Sequence, residues 1–140
     1  MKRIIYILVL LLAVQSCSSK TDDKSSTSEA TVSKPQIENL DAVTFKAKVE
    51  SGNGIILDVR SPGEVAQGYI ANAVIINIYD QNFIAELNKL PKDKEVYVYC
   101  ASGVRSIQAA EILQQNGFSH IYNLREGLMD WQRSGYPIVK

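Results

Sequence analysis

Histidine is almost missing from this chain, with one in 140 residues, and cysteine occurs only twice. Such a set cannot assemble a zinc centre of the usual Cys/His kind, so no metal is expected, and no other cofactor is implied. Neither sign of charge is in excess: 15 Lys and Arg balance 15 Asp and Glu. The basic residues are scattered, which leaves no electrostatic footprint for nucleic acid. A run of about 20 apolar residues, the length a membrane-spanning helix needs, is also lacking. The apolar stretch Ile4–Val14 holds eleven.

What stands at the N-terminus is therefore read as an export signal over residues 1–16. Lys2 and Arg3 supply its positive start and Ile4–Val14 its core. The following Val14-Gln15-Ser16-Cys17 resembles a bacterial lipoprotein processing site, with cleavage before Cys17 and a lipid placed on that residue. The expectation is an exported protein, lipid-anchored to a bacterial membrane on its periplasmic or cell-surface side. An ordinary secreted protein that loses Cys17 or leaves it free is the alternative. Ser18 to Gln36 carries Ser, Thr, Lys and Asp with little that is apolar, so residues 17–36 read as a solvated tether. With Cys17 acylated, Cys100 is the one remaining thiol and no intramolecular disulfide can form.

From residue 37 to 140 the pattern changes to alternating strand-like and helix-like segments, enough for one compact domain. Phe45 and Val49 lie one helical turn apart before Gly52. Ile55–Val59, Val74–Ile78, Val96–Tyr99 and Ile121–Leu124 are apolar runs of strand length. Between and after them, Phe83, Leu87 and Leu90, then Ile107, Ala110 and Leu113, then Leu128 and Trp131, fall on helical faces. Strands apolar on both sides imply a mostly parallel sheet covered by helices on both faces, an α/β fold. Ser61-Pro62-Gly63-Glu64 is a capping box with proline at the first helical position, and Glu64 is read as a cap.

The stretch Tyr97-Val98-Tyr99-Cys100-Ala101-Ser102-Gly103-Val104-Arg105-Ser106 carries the chemistry. A strand runs into a cysteine, a short glycine-containing loop, and a helix expected to begin near Ser106. Loop N–H groups and the positive end of the helix converge on one sulfur, and Arg105 adds a cation, so the Cys100 thiol should ionise easily. Ligands of parallel sheets sit beyond the carboxyl ends of the strands, where Asp58, Arg60, Asn77, Cys100 and Arg125 all fall. His120 precedes its strand and belongs to the opposite edge, which argues against a Cys–His dyad.

Taken in order, Leu57-Asp58-Val59-Arg60-Ser61-Pro62 with Glu64, Gly68-Tyr69-Ile70-Ala71-Asn72-Ala73 before Ile76-Asn77-Ile78, the Cys100–Ser106 loop, and Leu128-Met129-Asp130-Trp131 with Gly135-Tyr136-Pro137 resemble a single-domain rhodanese-like (sulfurtransferase) protein over residues 37–140. The resemblance implies a five-stranded parallel sheet with helices on both faces and a catalytic cysteine, Cys100, that carries sulfur as a persulfide. It implies that Ala101, Ser102, Gly103, Val104, Arg105 and Ser106 bind the substrate, with Asp58 and Arg60 bracing the loop. The expected partners are a small anionic sulfur donor such as thiosulfate, which Arg105 would attract and orient, and a thiol or cyanide acceptor, with a protein acceptor also in view. The chain departs from the family's common pattern at Tyr69, where histidine is usual, and at Glu126, where a second glycine is usual. Related phosphatases place five residues between cysteine and arginine. Here Arg105 follows after four, a ring sized for one sulfur atom. A rhodanese fold that only carries persulfide or docks a partner is the rival reading.

Overall fold

The computed structural model describes residues 36–140, so the expected export signal and Cys17 lie outside the described residues. The elements are β1 (Gln36–Leu40), α1 (Ala42–Ser51), β2 (Ile55–Asp58), α2 (Pro62–Val65), β3 (Val74–Ile75), α3 (Phe83–Leu87), β4 (Val96–Tyr99), α4 (Val104–Gln115), β5 (His120–Leu124) and α5 (Gly127–Arg133). The strands form one sheet in the order β1-β5-β4-β2-β3, and every pairing is parallel.

Period-two alternation in the central strand divides the core. Val96, Val98 and Cys100 point to one face, where Leu57, Ile121, Phe83 and Leu87 of α3, and Ala109, Ala110 and Leu113 of α4 complete a cluster. Tyr97 and Tyr99 point to the other, against Phe45 of α1, Leu128 and Trp131 of α5, and Leu124. Because both faces are covered, β4 is buried at all four positions and reads in sequence as a continuous apolar run. This is the five-stranded α/β architecture expected, with helices on both sides.

Three details differ from the sequence reading. The sheet gains an edge strand, β1, which takes in Gln36 from the expected tether and pairs with β5 from Gln36 opposite His120 to Leu40 opposite Leu124. Its residues carry no clear apolar pattern, because only Leu40 is fully buried. The strand expected to run to Ile78 is regular only at Val74 and Ile75. Beyond it, Ile76 and Ile78 still donate their N–H groups to the Asp58 and Val59 carbonyls, at 3.0 and 3.2 Å. Finally, α4 starts at Val104, two residues before Ser106, because Gly103 at φ +93° turns the chain directly into the helix.

Candidate active site

Cys100 follows the last residue of β4, in the middle of the sheet, and its side chain is fully buried. Gly103 donates its N–H to Cys100 Sγ at 3.1 Å. The Ser106 hydroxyl, in the first turn of α4, lies 3.6 Å from the sulfur and 3.1 Å from the Gly103 carbonyl oxygen, and its one proton can serve either acceptor. Burial pushes the Cys100 thiol up. The Ser106 hydroxyl and the N–H groups of Ser106, Ser102 and Gly103 outweigh that, and the net displacement is downward from the ordinary thiol value. The sulfur is thus an anion site made mainly of short-range donors, with the N-terminus of α4 behind them.

Two glycines make the ring close enough. A methyl group on Gly103 would fall 1.8 Å from the Arg125 carbonyl oxygen, and one on Gly127, at φ +61°, would fall 2.5 Å from the Ala101 carbonyl carbon and oxygen. Leu128 and Met129 donate their N–H groups to the Cys100 and Ala101 carbonyls at 2.8 and 3.1 Å. The start of α5 therefore clamps the cysteine loop from outside, and Gly127 is the only residue type that permits it. Arg125 and Glu126 are exposed, and Glu126 accepts a bond from Arg133 at 3.0 Å. On the α4 side of the loop, a cleft of about 290 Å³ is lined by Asn39, Ser102, Gly103, Val104, Asn123 and Arg125, among others. Asn123 donates to Asn39 there at 2.7 Å, and its own Oδ1 is buried without a partner.

Arg105, expected from the sequence to attract and orient a donor, faces Glu64. Its Nη1 and Nη2 donate to Glu64 Oε2 and Oε1 at 2.8 and 2.6 Å, a two-pronged pair. Glu64 in turn accepts from the Ser61 N–H at 3.1 Å and the Ser61 hydroxyl at 2.7 Å, so the capping carboxylate and the loop partner are one group. The bonds from Arg105, against the upward effect of burial and with help from Ser61, hold the Glu64 carboxyl down to about 2. Spacing along the chain could reveal the cap but not the ion pair, since the two residues stand 41 positions apart.

Asp58 and Arg60 sit on the same sheet edge without touching the sulfur. Arg60 Nε and Nη2 donate to Asp58 Oδ1 and Oδ2 at 2.9 and 2.7 Å, and both side chains are buried. The same guanidinium donates to the Gly68 carbonyl at 2.8 Å and to the Glu64 carbonyl at 3.4 Å, below the Tyr99 ring, whose hydroxyl accepts the Ile70 N–H at 3.0 Å. The pair thus braces α2 and the following turn, and it borders the loop through Glu64 and the Tyr99 ring. His120 opens β5 and is exposed, level with the start of β1 and away from Cys100. Trp131 packs edge-on against Phe45 and Tyr136 and donates its indole N–H to the Pro137 carbonyl, a core role.

Known proteins share this arrangement. A sulfurtransferase of Allochromatium vinosum is 35% identical over 104 residues, 74% of this chain and 95% of that protein. A tRNA uridine(34) hydroxylase of Cytophaga hutchinsonii is 34% identical over 99 residues, but these make up only 31% of its length. The crystal structure of a rhodanese-like domain protein from Staphylococcus aureus superimposes with a TM-score of 0.63 at 34% identity, over 74% of this chain and 99% of that one. The model of the rhodanese-like domain matches residues 41–134, from the cap of α1 through the end of α5. The chain belongs to the rhodanese-like domain family, whose members include sulfurtransferases.

Proposed function

We propose that this protein is a sulfurtransferase that moves a sulfane sulfur from a donor such as thiosulfate, through a persulfide on Cys100, to a thiol or cyanide acceptor. The observation that carries this reading is the Gly103 N–H directed at Cys100 Sγ from 3.1 Å, within a ring that lowers the thiol's pKa. A thiolate attacks the outer sulfur of the donor, the donor's S–S bond breaks, and the leaving group departs with its electron pair. The extra sulfur on Cys100 is then held by the same N–H donors, as an oxyanion hole holds oxygen. An acceptor thiolate or cyanide takes that sulfur and returns Cys100 to its thiolate. The name of the Allochromatium relative agrees with this chemistry.

Incubation with thiosulfate and cyanide is expected to release thiocyanate, and Cys100→Ser is expected to abolish the release. Equal activity in that variant would remove the proposal. Intact-mass measurement after donor treatment tests the rival carrier or docking role: one added sulfur without thiocyanate would indicate a carrier, and no addition would indicate binding alone.

The protein is further proposed to be exported and lipid-anchored through Cys17 to a bacterial membrane, on the signal pattern of residues 1–17. Labelled fatty acid should enter the wild-type protein and not Cys17→Ser. Equal labelling of both would remove the anchor from the account.

A further inference from the structure

Charge around the reacting sulfur is nearly all spoken for. Arg60 pairs with Asp58 at 2.7 Å, and Arg133 is shared between Glu126 at 3.0 Å and Asp130 at 3.5 Å. Glu64 and Arg105 close a third pair at 2.6 Å, directly on the cysteine loop, with the two side chains 31% and 18% exposed. Arg105 is held in its charged form first by the Glu64 bonds and also by the Cys100 thiolate, which places the pair within electrostatic reach of the sulfur. Arg125, exposed at the cleft over Ser102 and Gly103, stands close enough to Asp41 for its charge to help hold that carboxyl down. Each of these cations therefore has a carboxylate within reach, and the Cys100 thiolate leaves the mouth without excess positive charge.

Two classes of donor place different demands on those cations. With thiosulfate, Cys100–S⁻ and S–SO₃²⁻ become Cys100–S–S⁻ and SO₃²⁻, so three negative charges gather at the loop as one S–S bond forms and another breaks. With a protonated organic persulfide, Cys100–S⁻ and R–S–SH become Cys100–S–SH and R–S⁻. The outer sulfur keeps its proton, the thiolate R–S⁻ leaves with the electron pair of the broken bond, and a single negative charge is carried throughout. The loop amides can stabilise one negative sulfur in either case. The further two charges of thiosulfate need cations, and Glu64 has taken the one in the loop.

We infer that Glu64 sets the donor class: by holding Arg105 in a neutral pair it disfavours dianionic donors and makes a thiol-derived persulfide the preferred source of sulfur. Glu64 acts here as a positioning residue, through Arg105 and not by touching the donor. The inference rests on the sulfur-transfer reading above and narrows it, because thiosulfate becomes a usable but poor substrate.

The test measures the rate of sulfur loading on Cys100 by intact mass, with thiosulfate and with 2-hydroxyethyl persulfide, in the wild-type chain and in Glu64→Gln. Glutamine keeps an oxygen for the Ser61 cap and removes the charge. Loading from thiosulfate should improve about 10-fold in Glu64→Gln, the size expected for one unit charge acting on a dianion at a partly exposed site. The gain should lie in the half-saturating thiosulfate concentration, the persulfide rate should change less than about 3-fold, and Glu64→Asp should keep the wild-type ratio. If the two donors change in parallel, or thiosulfate loading is unaffected, the inference is overturned. A measurement on the wild-type chain alone decides the matter should Glu64→Gln fold poorly: between about 0.02 and about 0.3 M NaCl, screening should accelerate loading by thiosulfate and leave the persulfide rate nearly constant. A thiosulfate rate that falls with salt would overturn the inference, since it would mark a net cationic mouth. No added mass with either donor in either protein would overturn the sulfur-transfer reading, and this inference with it.

Discussion

The α-carbon of Gly103 faces the carbonyl of Arg125 so closely that a methyl group there would lie 1.8 Å from its oxygen. That contact joins the cysteine loop to the end of β5, and it fixes where the Gly103 N–H points. The loop's chemistry and the packing of two neighbouring strands are therefore one structural feature.

Gly103→Ala should strike both at once. The left-handed backbone at φ +93° and the clash with Arg125 together should cost about 2–4 kcal/mol. Urea unfolding should show the loss, and persulfide formation should fail even where the protein remains folded. Stability within about 0.5 kcal/mol of wild type would contradict the geometry.

Reactivity of Cys100 should reach its plateau at a pH below that of an ordinary thiol, because the downward displacement enlarges the thiolate fraction. Ser106→Ala removes the donor that contributes most to that displacement, and should move the plateau upward. Alkylation by iodoacetamide at pH 6 should then slow by about 10-fold, the worth of one hydrogen bond to a charged group. An unchanged pH profile would leave the hydroxyl bonded to the Gly103 carbonyl alone.

Asp58→Asn leaves the Arg60 guanidinium buried without its counter-charge and should cost about 3–5 kcal/mol in denaturant unfolding. Replacing both partners, Asp58→Leu with Arg60→Met, should restore much of that stability, since two uncharged side chains need no desolvation. A double variant as unstable as the single one would show that the Gly68 and Glu64 carbonyls, and not the ion pair, are what Arg60 serves.

Acid stability provides a check on Glu64. Its carboxyl is lowered from 4.5 to about 2, so its contribution is fully present above about 4.5 and is lost as pH falls through that window toward about 2. For a partly exposed pair the loss should be about 1 kcal/mol. Glu64→Gln should flatten this segment of the stability curve, and a curve parallel to wild type would place the acid transition elsewhere.

Much of this protein is legible locally. The buried run of β4, the Phe45–Val49 spacing in α1, the Ser61–Glu64 cap and the glycine after Cys100 each depend on residues within one or two turns of each other, and local patterns of burial and capping survive in linear order. The edge strand β1 is harder to see because only one side of a sheet's border is covered, which leaves Gln36–Leu40 without a clear apolar pattern. The start of α4 shifted by two residues because the left-handed Gly103 supplies a turn that hydrophobic spacing does not encode.

The residues by themselves determined that a parallel α/β domain would form and that a cysteine would end its central strand among amide donors, because side-chain period and backbone preference act between near neighbours. The tertiary structure alone decided that Glu64 would meet Arg105 across 41 positions and that the Gly127 turn would press against the Cys100 and Ala101 carbonyls. Those contacts follow from the order β1-β5-β4-β2-β3, which brings the ends of distant segments to one edge. Charge and close approach act through space, and the spacing of residues along a chain does not record them.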